Sequence, residues 1–346
     1  MLEQLNNGTT MIGSLPHTSF DEAFRLIEKY PLTIPVWPQL PKRAFSETMV
    51  PQYSEGLPGI TINMEEHKIH LERNDSLIDS MTQFYENFLA NNINSFAISN
   101  DYASGFHHFL QELEKTKEVI PFIKGQVTGP FTFSLSISDS DGKSLWSDEQ
   151  YRDIVIKGLQ MKALWQINKL EPFAEKVLIF FDEPIFSALG TPGYLGIQDE
   201  DVINTIDSLA LACQKENALT GIHCCGNMDW GLLTRTKIDI IAFDAYFYGE
   251  KVALYPKEIT GFLKRGGILA WGIVPTNDSN ILLKETPNSL KEAFNKLISH
   301  FIAKGIPEEL LNKQLLFTPS CGIGPLSPSD AEVVLKLLKT MQNTLI

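Results

Sequence analysis

The chain has 346 residues, 43% of them hydrophobic, with 29 Lys plus Arg against 42 Asp plus Glu and a formal charge of −13. That is enough to bury a large core as one big domain or two ordinary ones. No basic cluster exceeds a dipeptide such as Lys42-Arg43, which argues against nucleic acid and anionic membrane as partners. The first residues carry no positive n-region or apolar h-region, and no apolar run approaches the roughly 20 residues of a membrane span. A cytoplasmic location is expected.

In chain order, Thr10-Met-Ile-Gly-Ser-Leu-Pro reads as a short strand entering a loop, and Ser19 or Asp21 can cap a helix over Glu22–Tyr30. Prolines 31, 35, 38, 41, 51 and 58 make the next stretch extended or looped. Gly59–Leu71 alternates polar and apolar residues, the mark of a hairpin. Together these predict an excursion near residues 31–75. Helical periodicity runs from Asp75 to about Ala90, and Ser95-Phe-Ala-Ile-Ser returns to strand. Strand-like runs then fall near 121–127, 176–182, 219–223, 238–243, 267–272 and 315–319, alternating with helical runs near 104–115, 149–172, 199–217, 254–265, 286–303 and 328–343.

Strands alternating with long helices imply right-handed βαβ units and a parallel sheet. About eight strands predict an α/β fold of the (β/α)8 TIM-barrel type, a single domain spanning residues 1–346 apart from the excursion. No composition shift, linker or repeat divides the chain. The glycines of 190–196 have the wrong spacing for a dinucleotide site. A barrel would gather the polar residues that end its strands at one mouth.

Three such ends carry the most chemistry. Leu219-Thr-Gly-Ile-His-Cys-Cys-Gly ends a strand with His223 and Cys225 on one face and Cys224 on the other. Cys321-Gly follows another strand 96 residues later, and Asp244 ends the run 238–243. Nitrogen and thiolate sulfur with one oxygen form a tetrahedral zinc set of His223, Cys225, Cys321 and Asp244. Asp239 and Tyr246 are alternatives for the fourth position. Four cysteines in a chain this long make no disulfide framework. Cys213 reads as an ordinary buried helical cysteine.

Phe180-Phe-Asp-Glu-Pro sets Asp182 and Glu183 at a strand end between apolar residues, where carboxylates can anchor an ammonium or act as acid and base. In Ile12-Gly-Ser-Leu-Pro, Gly13 lets a ligand approach the backbone and Ser14 can meet a polar head group. Trp37, Trp230 and Trp271 lie at or beyond strand ends and are expected to pack.

In this order, Met11-Ile-Gly-Ser-Leu-Pro, Thr128-Gly-Pro, Asp182-Glu-Pro, His223-Cys-Cys-Gly, Ile241-Ala-Phe-Asp and Pro319-Ser-Cys-Gly resemble the catalytic C-terminal barrel of the cobalamin-independent methionine synthases. The resemblance spans nearly the whole chain, and His-x-Cys with the distant Cys-Gly is its specific part. It implies that His223, Cys225 and Cys321 bind zinc, with Asp244 where that family has a glutamate ligand. Ser14 and Asp182 would hold the amino-acid portion of L-homocysteine, with Gly13 beside them. Two departures narrow the expectation. There is no room for the additional N-terminal barrel that helps hold the folate donor, and Ile273 stands where that family places a histidine. The chain therefore looks like the short single-barrel core methionine synthases, whose implied donor is a methylated corrinoid, methylcobalamin or a corrinoid-carrying protein.

The expected reaction is zinc-dependent transfer of that methyl group to the homocysteine thiol, yielding methionine, with Asp182 catalytic. The other readings are a methylcobamide:coenzyme M-type transferase acting on a sulfonated thiol, a uroporphyrinogen decarboxylase-like lyase that needs arginines in the mouth, with Arg43 the main candidate, and a structural zinc barrel.

Overall fold

The computed structural model describes residues 5–191, 194 and 196–344. The extreme N-terminus and part of the 190–196 glycine segment lie outside the described residues. Nine strands are present among the described residues: β1 (Gly8–Thr9), β2 (Ile60–Asn63), β3 (Lys68–Leu71), β4 (Ile120–Thr128), β5 (Ala174–Asp182), β6 (Leu219–Cys224), β7 (Ile240–Phe243), β8 (Ile268–Val274) and β9 (Leu315–Pro319). Seven of them form one curled parallel sheet in the order β1-β9-β8-β7-β6-β5-β4. The helices that follow the strands include α1 (Phe20–Lys29), α2 (Leu77–Leu89), α3 (Ser104–Thr116), α4 (Pro130–Ser136), α5 (Glu149–Leu170), α6 (Asp199–Lys215), α7 (Trp230–Thr234) and α8 (Ala245–Val252). This α/β arrangement is consistent with a TIM-like barrel.

The two edges of the sheet, β1 and β4, do not pair directly. The proline-rich segment 34–39 lies between them. Ile34 N–H donates to Thr9 O at 3.0 Å, Gln39 N–H to Gly13 O at 3.1 Å and Lys124 N–H to Pro35 O at 2.8 Å. Val36 bridges Lys124 and Ser14 bridges Gln39, both in parallel sense. Pro35 and Pro38 have no N–H to give, so the segment makes bridges where another sequence would make a ladder. The predicted excursion is corrected accordingly: it begins beyond Gln39, and residues 34–39 belong to the wall. The β2–β3 hairpin pairs antiparallel, Ile60 with Leu71, as the alternation of Gly59–Leu71 predicts.

The strand predicted at Ser95-Phe-Ala-Ile-Ser is absent. Ile93–Phe96 is a 3-10 turn, entered through Asn91 at φ 51°. The backbone beyond it finds partners on side chains: Ser99 N–H donates to Glu55 at 2.7 Å and Ile98 O meets the His107 ring nitrogen at 2.7 Å. With those groups satisfied locally, no ladder forms.

Alternate strand residues face inward. Phe122, Leu178, Phe180, Ile240, Ala242, Ile268, Ala270 and Leu316 build a small inner core, while the larger apolar cluster lies between sheet and helices. Gly221 on β6 makes room for the Phe180 ring, which would lie 2.7 Å from a β-carbon there. Trp37, Trp230 and Trp271 are fully buried, and they pack as expected. The same inward parity carries Asp182, His223 and Cys225 up to the carboxyl ends of their strands.

Candidate metal centre and cavity

His223 is the register partner of Asp182 across β5 and β6, so their side chains rise together at the top of the inner core. Cys225 follows β6, and Cys321 follows β9. The glycine after each cysteine has a steric reason. A β-carbon on Gly226 would lie 2.4 Å from Ser187 Cβ, and one on Gly322 would lie 2.4 Å from Ser14 Oγ. The cysteine loops can therefore press against neighbouring serines. The second loop is fastened further: Ser320 N–H donates to Val274 O at 2.8 Å, Ile323 N–H to Ser14 O at 3.2 Å and Gly324 N–H to Ser14 Oγ at 3.1 Å.

These constraints bring a ring nitrogen of His223 and the sulfurs of Cys225 and Cys321 within 4.8 Å of one another. His223 is buried, and neither ring nitrogen has a hydrogen-bond partner. A buried imidazole with both nitrogens free, facing two thiols, fits a soft divalent ion such as zinc. Hydrogen bonding from Cys321, then the electrostatic influence of nearby His223, draws the Cys225 thiol below its ordinary range. The same contact and burial push Cys321 up. The pair is built to carry negative charge on sulfur.

Asp244 sits at the end of β7, fully buried, and lies outside the group of three. Its Oδ1 accepts from Phe247 N–H at 2.9 Å and so caps α8, whereas Oδ2 has no partner. Burial raises its carboxyl to about 7, against the Phe247 bond and His223, which pull it down. The two alternatives for that position are engaged elsewhere. Asp239 accepts from Thr220 N–H at 2.8 Å at the opposite end of the sheet, and Tyr246 donates to Glu285 at 2.6 Å.

A cavity of about 300 Å³ opens beside the cluster, lined by Ser14, Gln39, Glu47, Met49, Asp182, His223, Cys225 and Cys321 among others. Asp182 Oδ1 is buried without a partner. Burial raises its carboxyl to about 6, with His223 and the buried Lys124 opposing. Lys124 itself stands under the cavity, donating to Ile12 O at 2.7 Å and Gln126 Oε1 at 2.9 Å, its ammonium 4.6 Å from the Phe180 ring centre. Ser14 reaches the cavity but is also the anchor of the 322–324 loop. Gly13 is not among the lining residues. Its close neighbour is Gln126, whose Nε2 would lie 2.0 Å from a β-carbon, and its φ of 152° also favours glycine.

Asp182 and Glu183 do not act as a pair. Glu183 turns outward to α4, accepting from Phe131 N–H at 2.9 Å, Thr132 N–H at 2.8 Å and Thr132 Oγ1 at 2.6 Å. Arg43 is bound by Glu47 and is not among the lining residues. Sequence reasoning missed Glu47, Gln39 and Met49, all carried by the proline-rich region, together with the inward Lys124. The signal that could mark Glu47 is a carboxylate flanked two residues away on each side by the apolar Phe45 and Met49.

No protein-family model matches the sequence, and no curated protein matches it. Solved structures do. A protein of Listeria monocytogenes assigned as a vitamin B12-independent methionine synthase superposes with TM-score 0.53 at 9% identity, over 95% of this chain and 86% of its own. A methyltransferase from Methanosarcina mazei gives 0.52 at 15%, over 92% and 83%. A B12-independent methionine synthase from a Shewanella species, in complex with selenomethionine, gives 0.47 at 19%, over 68% of this chain and 66% of that one, just under two thirds of its length. No helix among the described residues is long and apolar enough to cross a membrane. The chain thus has the fold shared by the Listeria and Methanosarcina proteins, at low sequence identity.

Proposed function

We propose that the protein is a zinc-dependent methyltransferase that moves a methyl group from a methylated corrinoid, methylcobalamin or a corrinoid-carrying protein, to the thiol of L-homocysteine, giving methionine. The observation that carries this reading is the His223, Cys225 and Cys321 cluster, its donor atoms within 4.8 Å of one another on the wall of a small cavity. The structural likeness to the Listeria and Methanosarcina proteins supports the fold on which it rests.

His223, Cys225 and Cys321 would hold the ion, with Asp244 as the fourth ligand through its partnerless Oδ2. Zinc held there would lower the pKa of a substrate thiol, ordinarily about 8.5, and make its thiolate available near neutral pH. Two cysteine sulfurs and a carboxylate keep the site electron-rich, which favours nucleophilic sulfur over hydrolysis of a carbonyl. Asp182 would take the substrate ammonium through Oδ1 while Ser14 steadies the amino-acid end. The thiol proton leaves to solvent. The sulfur–methyl bond then forms as the cobalt–methyl bond breaks, with both electrons remaining on cobalt. That leaving group needs no proton, so no acid is required beside the donor.

The other readings fit the cavity less well. A decarboxylase of the related barrel needs arginines in the mouth, and none lines the cavity among the described residues. A sulfonated thiol would set an anion against Asp182. A structural zinc site needs no cavity beside it. The decisive experiment supplies the zinc-loaded protein and L-homocysteine with methylcobalamin or methyl-folate. Methionine formed from methylcobalamin supports the proposal, and methionine formed only from the folate, or from neither donor, refutes it.

A further inference from the structure

Lys124 takes no part in the reaction as described, yet it is fully buried on β4, with its ammonium over the Phe180 ring of the inner core. A lysine placed there loses its hydration without gaining an ion pair. Its two hydrogen bonds go to Ile12 O at 2.7 Å and Gln126 Oε1 at 2.9 Å, neither of them a carboxylate. Burial pulls its ammonium well below the ordinary lysine range, and Asp182 opposes that only through space. An apolar side chain of similar volume would fill the position at less cost.

Both bonds fall at the seam of the sheet. Residues 34–39 lie between its two edges, and Lys124 reaches past them from inside the barrel to the chain beyond β1. No backbone N–H among the described residues reaches Ile12 O, so without Lys124 that buried carbonyl is left unpaired. Gln126, its Oε1 taken by the lysine, donates Nε2 to Trp37 O at 3.4 Å and fills the space that a side chain on Gly13 would need. Next in the chain, Ser14 receives Ile323 N–H on its backbone oxygen at 3.2 Å and Gly324 N–H on Oγ at 3.1 Å. The loop that carries Cys321 thus has two fastenings. Ser320 fixes one end to β8 through Val274 O, and Ser14 fixes the other. The second holds only while Ile12 and Gly13 stay where Lys124 and Gln126 keep them. The lysine's two bonds need only two N–H groups, which the neutral amine also has, so the hold survives loss of its proton.

We propose that Lys124 is a positioning residue for the metal centre: by bonding Ile12 O and Gln126 across the seam it fixes the Ile12–Ser14 segment, and through Ser14 it fixes the far end of the Cys321 loop. This rests on the zinc reading above. Pro35 and Pro38 remove ladder donors from the outer side of the seam, and the lysine restores a cross-link on the inner side, directly under the cavity.

The test compares zinc-loaded wild type with Lys124→Met, which fills the space without donors, and Lys124→Gln, whose amide keeps two N–H groups. Lys124→Met should release zinc to a chelator about 10-fold faster, as expected when a group behind a metal ligand is lost, and Lys124→Gln should stay within about 3-fold of wild type. Amide hydrogen exchange in Lys124→Met should rise about 10-fold at Ile323 and Gly324 and less than about 3-fold at Ser320 and Ile222, with the urea midpoint not lowered. Ser14→Ala removes the Gly324 acceptor from the other end and guards against a folding defect at position 124; it should also speed zinc release and exchange at Gly324. Unchanged exchange at Ile323 and Gly324, or faster exchange at all four amides with a lower urea midpoint, overturns the role of Lys124. Selective exchange without faster zinc release overturns its link to the metal. If wild type binds no zinc, the zinc reading fails, while selective exchange at Ile323 and Gly324 would still uphold the hold of Lys124 on the loop.

Discussion

Glu183 occupies the space that a side chain on Gly129 would need: a β-carbon there would lie 2.2 Å from the glutamate's carboxyl carbon. The glycine ends the β4 segment so that this carboxylate can reach across and close the start of α4, satisfying two backbone N–H groups and one hydroxyl. Removing it strands buried donors. Glu183→Ala should lose about 3 kcal/mol in chemical denaturation while retaining zinc affinity. A loss below about 1 kcal/mol would show that the buried cap contributes little.

Zinc retention tests the cluster directly. Wild type should hold close to one zinc per chain after dialysis. Cys321→Ala and His223→Ala should each weaken binding by about 100-fold or more in a chelator competition, since each removes a ligand and leaves an incomplete set. Full zinc occupancy in Cys321→Ala under the same chelator would refute the assignment.

Asp244 gives one oxygen to α8 and leaves the other without a partner, and the two can be tested separately. Asp244→Asn keeps an acceptor for Phe247 N–H but gives up the anionic oxygen. Zinc affinity should fall by about 10-fold with thermal stability nearly unchanged. Unchanged zinc affinity in that variant would make Asp244 a helix cap only.

Asp182→Asn removes the anionic oxygen proposed to receive the substrate amine and leaves the three cluster residues unchanged. KM for L-homocysteine should rise by about 10-fold or more, with zinc content constant. An unaltered KM would place the amine elsewhere.

Lys162, on α5, is wholly buried and donates to Glu55 O at 2.7 Å. Burial lowers its ammonium to about 8, with Glu55 opposing. Between that value and the ordinary lysine value near 10.4 the unfolded chain binds the extra proton, so stability from this residue rises with pH across that window and its penalty is full below it. Urea unfolding should show wild type gaining up to about 3 kcal/mol on Lys162→Met between pH 7 and pH 10. A difference that does not vary with pH would refute the buried-ammonium account.

The barrel-like alternation was readable because its strands are continuous apolar runs bounded by polar residues. β5, β6 and β9 lie within two residues of the predicted spans. His223, Cys225 and Cys321 were readable for a different reason: soft ligands at the carboxyl ends of parallel strands converge when the sheet curls, even with β7 and β8 between β6 and β9. What could not be read depends on contacts between distant segments. Glu183 looks like half of a catalytic pair until α4 claims it. Glu47 is an ordinary glutamate until its turn folds against the cavity. The wall position of 34–39 was obscured by Pro35 and Pro38, which argue against a strand wherever the ladder needs every donor. The false strand at 95–99 arose from the opposite error, since Phe96 and Ile98 are apolar for packing and not for pairing.

The segment 34–39 has one more consequence. Two prolines leave the seam between β1 and β4 held by isolated bridges in place of a continuous ladder, so thermal opening of the sheet should begin there. That seam runs into Gln39 and on to Glu47 and Met49, which line the cavity. Loosening along it would widen that side of the cavity, while the cysteine loops stay held away from the seam by the Gly226–Ser187 packing and the Ser320–Val274 bond. The barrel therefore carries a soft margin and a rigid one around a single ligand space, and hydrogen exchange should be faster at Val36 than at Ile222.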